Sequence, residues 1–148
     1  NDRKILVEKA VDAREIECAV LGGYYDAKAS CPGEIGKSVE MYDYETKYLT
    51  DDSEQLVPAD LPPEVAKQIR ETAVRAFQAL DCFGLARVDF FLEKQTGKLM
   101  LNEINTLPGF TNISMYPMMW EKSGLSNTAL LTRLIELGLA RQGSEQVG

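Results

Sequence analysis

With 148 residues, 45% of them hydrophobic and 26% charged, the chain is sized for one globular unit with a core of its own. A formal charge of −7 argues against a nucleic-acid or acidic-membrane binder, because gathering phosphates takes a net positive field. The absence of histidine removes Ser-His-Asp and Cys-His nucleophilic machinery and histidine-held zinc or iron, leaving carboxylates, lysine, arginine, backbone groups or a hard metal.

In chain order, alternation over Lys4–Val11 predicts a strand, Asp12-Ala13-Arg14 a turn, and Glu15–Leu21 a second strand. A third extended run through Tyr24–Ser30 ends at a Cys31-Pro32-Gly33 breaker. Glu34–Tyr48 has no clean period, and Met41–Asp52 reads as a long loop. From Pro62 the period becomes 3.6, with Val65, Ile69, Ala73, Ala76, Phe77 and Leu80 on one stripe, which predicts a helix lying on a sheet. Two strands, Leu85–Glu93 and Lys98–Asn105, flank a Gln95-Thr96-Gly97 turn. Ser114–Pro117 opens a short helical stretch, and Leu130, Leu131, Leu134, Ile135 and Leu137 mark a closing helix before a frayed Arg141–Gly148 end. This order predicts an α+β fold, mainly an antiparallel sheet with helices packed on one face. The three cysteines (Cys18, Cys31, Cys82) lack CxxC spacing, so neither a disulfide framework nor a zinc knuckle is expected, and a reducing cytoplasm suits them. No apolar run reaches the length of a membrane span and no secretory pattern opens the chain, so a soluble protein is expected.

The chemistry concentrates in the hairpin. Ala86, Val88, Phe90 and Leu92 share one face of the first strand; Arg87, Asp89 and Phe91 share the other. On the return, Leu99, Leu101, Glu103 and Asn105 are expected to be co-facial. A turn centred near Thr96 sets Asp89 opposite Glu103 and Arg87 opposite Asn105, with facing Cβ atoms about 4.5–5.5 Å apart. Two acids directly opposite are locally unfavourable unless a cation compensates. Asp, Glu and Asn offer only oxygen, which suits Mg²⁺ or Mn²⁺ carrying a nucleotide. The plainer reading is a solvated charged face with Arg87 as ion-pair partner. Thr106-Leu107-Pro108-Gly109-Phe110-Thr111 then leaves the polar end of the strand. Gly109 permits positive φ and lets the backbone approach a ligand, so that its N–H can face an oxyanion. Ser114 at a helix start can bind a carboxylate or simply cap the helix.

Several segments, in order and spacing, resemble the D-alanine–D-alanine ligases of the ATP-grasp superfamily. They are Val7-Glu8-Lys9, Arg14-Glu15-Ile16-Glu17, Tyr42-Asp43-Tyr44-Glu45-Thr46-Lys47-Tyr48, Leu85–Phe91, and Leu101–Thr111 followed by Ser114-Met115-Tyr116-Pro117. The resemblance spans essentially the whole chain and implies an ATP-grasp C-terminal lobe. It implies that Asp89, Glu103 and Asn105 hold two Mg²⁺ (or Mn²⁺) ions, that Lys47 touches ATP phosphate, and that Arg87 and the Gly109 N–H stabilise a tetrahedral intermediate. Glu8, Lys9 and Val11 resemble the adenine-side edge, Glu15 the ribose ligand, Phe91 the adenine pocket, and Asn102 a further nucleotide contact. Tyr48, Gly109, Ser114 and the Met115 N–H resemble the substrate-binding set. Taken singly, Glu8 and Glu15 read more simply as exposed strand residues, Lys47 as a solvated loop lysine and Phe91 as core; their joint spacing is what favours the site.

The activity implied is ATP-dependent joining of two D-alanines through an acyl phosphate, for peptidoglycan synthesis. A related carboxylate–amine ligase, such as one using D-serine, or a noncatalytic nucleotide-binding module is the alternative. By the same resemblance residues 1–15 end the central ATP-binding subdomain and 16–148 form the catalytic lobe. The N-terminal domain and the glycine-rich phosphate loop lie outside the chain, so this polypeptide alone is not expected to ligate; the resemblance implies a homodimer for the full-length protein. Relatives that use D-lactate lack the Tyr-Asp-Tyr-x-x-Lys-Tyr run. Tyr48→His in full-length enzyme is therefore expected to broaden second-substrate choice toward hydroxy acids. Competition between D-alanine and D-lactate across pH checks this, and unchanged selectivity counts against it.

Overall fold

The computed structural model describes residues 4–36 and 55–145. The expected Met41–Asp52 loop, with Lys47 and Tyr48, lies outside them. The elements are β1 (Ala13–Gly22), β2 (Lys28–Ala29), β3 (Gly33–Ile35), β4 (Gln55–Leu56), α1 (Pro63–Ala79), β5 (Gly84–Glu93), β6 (Leu99–Asn105), α2 (Met115–Lys122) and α3 (Asn127–Glu145). Strand order is β4-β3-β1-β5-β6 with β2 also on β1, and every pairing described is antiparallel.

β1 and β5 pair over their full lengths, from Ala13 opposite Glu93 to Gly22 opposite Gly84. Every β1 residue from Ile16 to Gly22 is buried, the mark of a strand covered on both sides. Ile16, Cys18 and Val20 join Ala86, Val88 and Phe90 beneath α1, whose Ile69, Ala73 and Phe77 recur every fourth residue and are fully buried. Burying a side chain such as Phe77 stabilises the fold by about 2–3 kcal/mol. Pro62 and Pro63 start α1 where a missing N–H costs nothing. Ala19 and Leu21, of opposite parity, meet Leu85 beneath α2 and α3 through Met115, Tyr116, Met119, Trp120, Leu130 and Leu137. The Tyr116 hydroxyl donates to the Val20 carbonyl at 2.9 Å, tying α2 to the sheet. The antiparallel sheet is as expected, but its helices divide between both faces, because β1 offers apolar side chains at both parities.

Three local expectations fail. Lys4–Val11 is not a strand: Ile5, Leu6 and Val7 are more than 80% exposed, and the ladder to β5 begins only at Ala13. Alternation makes a strand only where a neighbour completes its hydrogen bonds. For the same reason Asp12–Arg14 is no turn; Arg14 is in β1 and forks Glu34 of β3 at 2.8 and 2.7 Å. In Tyr24–Ser30 only Lys28–Ala29 is extended, because the Gly23 N–H donates to the Asp26 carboxylate at 2.6 Å and closes a turn.

The hairpin holds a correction that matters for the site. Leu92, Phe91 and Phe90 pair with Leu99, Met100 and Leu101, but Asp89 pairs with Glu103, so Asn102 is an extra residue at a β-bulge. Leu99 and Leu101 are therefore not co-facial with Glu103 and Asn105. The bulge resets the parity, letting Leu99 and Ile104 both pack on the α1 core although an odd number of positions separates them. Deleting Asn102 must push Leu99 out of that core or Glu103 off its face. A cost of about 2–4 kcal/mol is expected in urea denaturation, against about 0.5 kcal/mol or less for Asn102→Ala at this exposed position.

Candidate active site

The face of the sheet that carries Ala19 and Leu21 is roofed by α2 and α3 at one end only. At the other end its side chains are Glu15 and Glu17 of β1, Arg87, Asp89 and Phe91 of β5, and Glu103 and Asn105 of β6. Register sets them in rows: Glu17 opposite Asp89 and Asp89 opposite Glu103; Glu15 opposite Phe91; Arg87 opposite Asn105. A cavity of about 270 Å³ opens there, lined by Glu15, Glu17, Arg87, Asp89, Phe91, Asn102 and Glu103 among others. A larger hollow, about 670 Å³, lies against α1 and Ala29, where Lys67, Arg70 and Arg75 face only one acid, Glu71. It offers no paired carboxylates, and the chemistry belongs to the smaller cavity.

Arg87 organises the charges. Its Nε donates to Asp89 Oδ1 at 2.8 Å and its Nη2 to Oδ2 at 2.7 Å, a two-pronged pair. The same Nε lies 3.3 Å from Glu17 Oε1. Asp89 and Glu17 are both buried, and Glu17 Oε2 has no hydrogen-bond partner among the described residues. Burial pushes the Glu17 carboxyl up to about 7; Arg87 pulls it down, while Asp89, Glu15 and Glu103 push it further up. Hydrogen bonding to Asp89 raises the Arg87 guanidinium above its usual value.

Of the residues that the sequence singles out, Glu15, Arg87, Asp89, Phe91, Asn102 and Glu103 share this cavity. Asn105 sits beside Arg87, and its Oδ1 accepts the Leu107 N–H at 3.0 Å, which shapes the departing turn. Gly109, Ser114 and Met115 form a second group on the loop into α2. Gly109 is not among the positive-φ glycines; close approach is what requires it, since a Cβ there would stand 2.9 Å from Ser114 Oγ. Ser114 is the N-cap of α2, yet its Oγ accepts the Thr111 N–H at 3.0 Å and bonds no N–H of its own helix. Glu8 and Lys9 are exposed and Val11 half-buried on the segment before β1, outside the cavity, and Lys47 and Tyr48 lie outside the described residues. Glu17 is the charged cavity residue that the sequence reading quotes within a segment but gives no role. Its signal is an acid inside the apolar run Ile16–Leu21, at the same parity as Glu15.

The protein-family model described as "D-ala D-ala ligase C-terminus" matches residues 1–136. The chain belongs to the D-alanine–D-alanine ligase family. It is 57% identical to the D-alanine–D-alanine ligase of Acetivibrio thermocellus over 95% of its own length and 37% of that relative's. Among solved structures, the ligase of Coxiella burnetii superposes with a TM-score of 0.79 at 46% identity, covering 94% of this chain and 35% of that one. The ligase of Bacillus anthracis complexed with ATP matches with a TM-score of 0.75 at 27% identity, covering 93% and 42%. The chain thus spans about two-fifths or less of these relatives.

The donor chemistry fits magnesium: Asp89 and Glu103 are oxygen donors facing each other across β5 and β6, with the amide of Asn105 two pairs along the ladder on the same face. Among the described residues no three His, Cys, Asp or Glu side chains form a ready cage for an ion. A cation here would draw its remaining ligands from phosphate and water, as Mg²⁺ commonly does. Until then Arg87 supplies the compensating charge. Arg87→Ala leaves two buried acids facing each other and is expected to cost about 3 kcal/mol, with millimolar Mn²⁺ restoring part of it. Urea denaturation with and without Mn²⁺ checks both parts.

Proposed function

We propose that this chain is the C-terminal catalytic part of an enzyme that joins two D-alanines to D-alanyl-D-alanine with ATP, for peptidoglycan synthesis. The observation that carries the reading is the row Glu17–Asp89–Glu103 with Arg87 forked onto Asp89 and its Nε 3.3 Å from Glu17, at the open end of a sheet with this family's fold. In the reaction, a carboxylate oxygen of the first D-alanine attacks the γ-phosphorus of ATP, releasing ADP and leaving an acyl phosphate. The amine of the second D-alanine then attacks the acyl carbon, phosphate departs, and the amine loses a proton as the peptide bond forms.

Asp89, Glu103 and Asn105 would hold Mg²⁺ or Mn²⁺, two ions in all, which when bound supply charge neutralisation for the triphosphate. Glu15, Phe91 and Asn102 line the cavity on the nucleotide side, Phe91 offering a flat apolar wall and Glu15 a hydroxyl acceptor; Glu8, Lys9 and Val11 border the adenine and Lys47 reaches phosphate. Arg87 and the Gly109 N–H meet the oxyanion that develops at the attacked carbonyl. Ser114 Oγ and the Met115 N–H, at the start of α2, receive the carboxylate of the second D-alanine, and Tyr48 bears on its choice. Residues 1–15 close the central ATP-binding subdomain and 16–148 form the catalytic lobe. We infer a cytoplasmic full-length homodimer without nucleic-acid or membrane partners; no helix among the described residues is long and apolar enough to cross a membrane.

Asp89→Asn or Glu103→Gln in the full-length protein is expected to abolish ligation, because phosphate charge is left uncompensated. Phosphate release with ATP and D-alanine measures it, with D-serine as alternative second substrate. Near-normal turnover of either variant at ordinary Mg²⁺ removes the site.

A further inference from the structure

Glu17 closes the Arg14-Glu15-Ile16-Glu17 segment but has no role in the resemblance or in the proposed mechanism, and one of its carboxylate oxygens is left unsatisfied. It is 5% exposed, its Oε1 is at 3.3 Å from Arg87 Nε, and its Oε2 is buried with no hydrogen-bond partner among the described residues. A buried carboxylate oxygen left without a donor is costly, so its retention calls for a state in which it is paired.

Asp89 poses the complementary problem. Both its oxygens accept from Arg87, and the same oxygens are those a cation would take. A divalent cation brought to the same carboxylate sets two cationic groups against one acid, so the fork to Arg87 is weakened when the ion binds. When it lets go, Arg87 needs another buried anion, and Glu17 stands directly across the β1–β5 ladder from Asp89. Arg87 Nε is already at ion-pair distance from Glu17, so only a short side-chain movement separates the two pairings.

We propose that Glu17 is a positioning residue that takes over Arg87 when Asp89 engages a divalent cation, so that the guanidinium stays in the cavity instead of swinging out. The exchange gives Glu17 Oε2 the donor it lacks and frees Asp89 oxygen for the ion. Cation binding and the placement of Arg87 are thereby coupled through one shared side chain. The inference rests on the proposed role of Asp89 and adds a function for a residue outside that reading.

The test uses full-length enzyme and Glu17→Gln, which keeps shape and removes charge. Mn²⁺ affinity, read by electron paramagnetic resonance of free Mn²⁺ with ADP present, is expected to fall about tenfold. In an Arg87→Met background the same change is expected to have no further effect. A tenfold fall with or without Arg87, or no fall at all, overturns the proposal, since Glu17 would then act by charge alone or not at all. The Arg87 Nε–H signal in nuclear magnetic resonance gives a second reading that does not need the Arg87 variant. With Mg²⁺ and ADP it should persist in wild type and broaden away in Glu17→Gln; persistence in both overturns the exchange. Wild-type enzyme that binds no Mn²⁺ removes the role of Asp89 and this inference together, whereas Mn²⁺ binding with an additive cycle removes this one alone.

Discussion

The ten-residue antiparallel ladder between β1 and β5 is the constraint on which the rest of the molecule hangs. Its register assigns every side chain of both strands to one of two faces, and each face has a different use. One is apolar from Ile16 to Val20 and from Ala86 to Leu92 and lies under α1. The other is apolar from Ala19 to Leu21, where α2 and α3 cover it, and acidic from Glu15 to Glu17, where they do not. A slip of one residue would put Glu17 and Asp89 under α1 and Ile16 and Phe90 into the cavity, so the apolar core holds the acids in place by the cost of misplacing everything else.

That arrangement explains how charge survives so close to a core. Glu17 and Asp89 are buried without the helical roof, and Arg87 binds between them on the same face. A buried ion pair contributes little net stability once desolvation is counted, and is better understood as setting geometry. Here it holds three charged groups within reach of one another at the mouth of a small cavity. In the loop after β6, Ser114 turns its hydroxyl to Thr111, so it caps no N–H at the start of α2.

The pairing of Asp89 with Glu103 and of Arg87 with Asn105 is legible in the sequence, because a short hairpin turn leaves little freedom of register. α1 is legible for the same kind of reason, its stripe repeating over four turns. Leu99 and Leu101 fall on the wrong face in that reading because counting by twos cannot see an extra residue; only the shared burial of Leu99 and Ile104 reveals Asn102 as the bulge. β2, β3 and β4, of two or three residues each, are too short to carry a period and exist through their neighbours. Lys4–Val11 shows the converse, a good pattern without a partner strand among the described residues. Glu17 escapes a sequence reading because an acid in a strand looks solvent-facing unless both sides of that strand are known to be covered.

The bulge also acts at the edge of the sheet. β6 is the outermost strand on its side of the described sheet, and a straight outer strand exposes an orderly row of amide and carbonyl groups onto which a stray chain can zip. Asn102 interrupts that row in mid-strand and twists the remainder of the strand. The kink that lines up Glu103 with Asp89 thus also makes the rim a poor template for unwanted self-association.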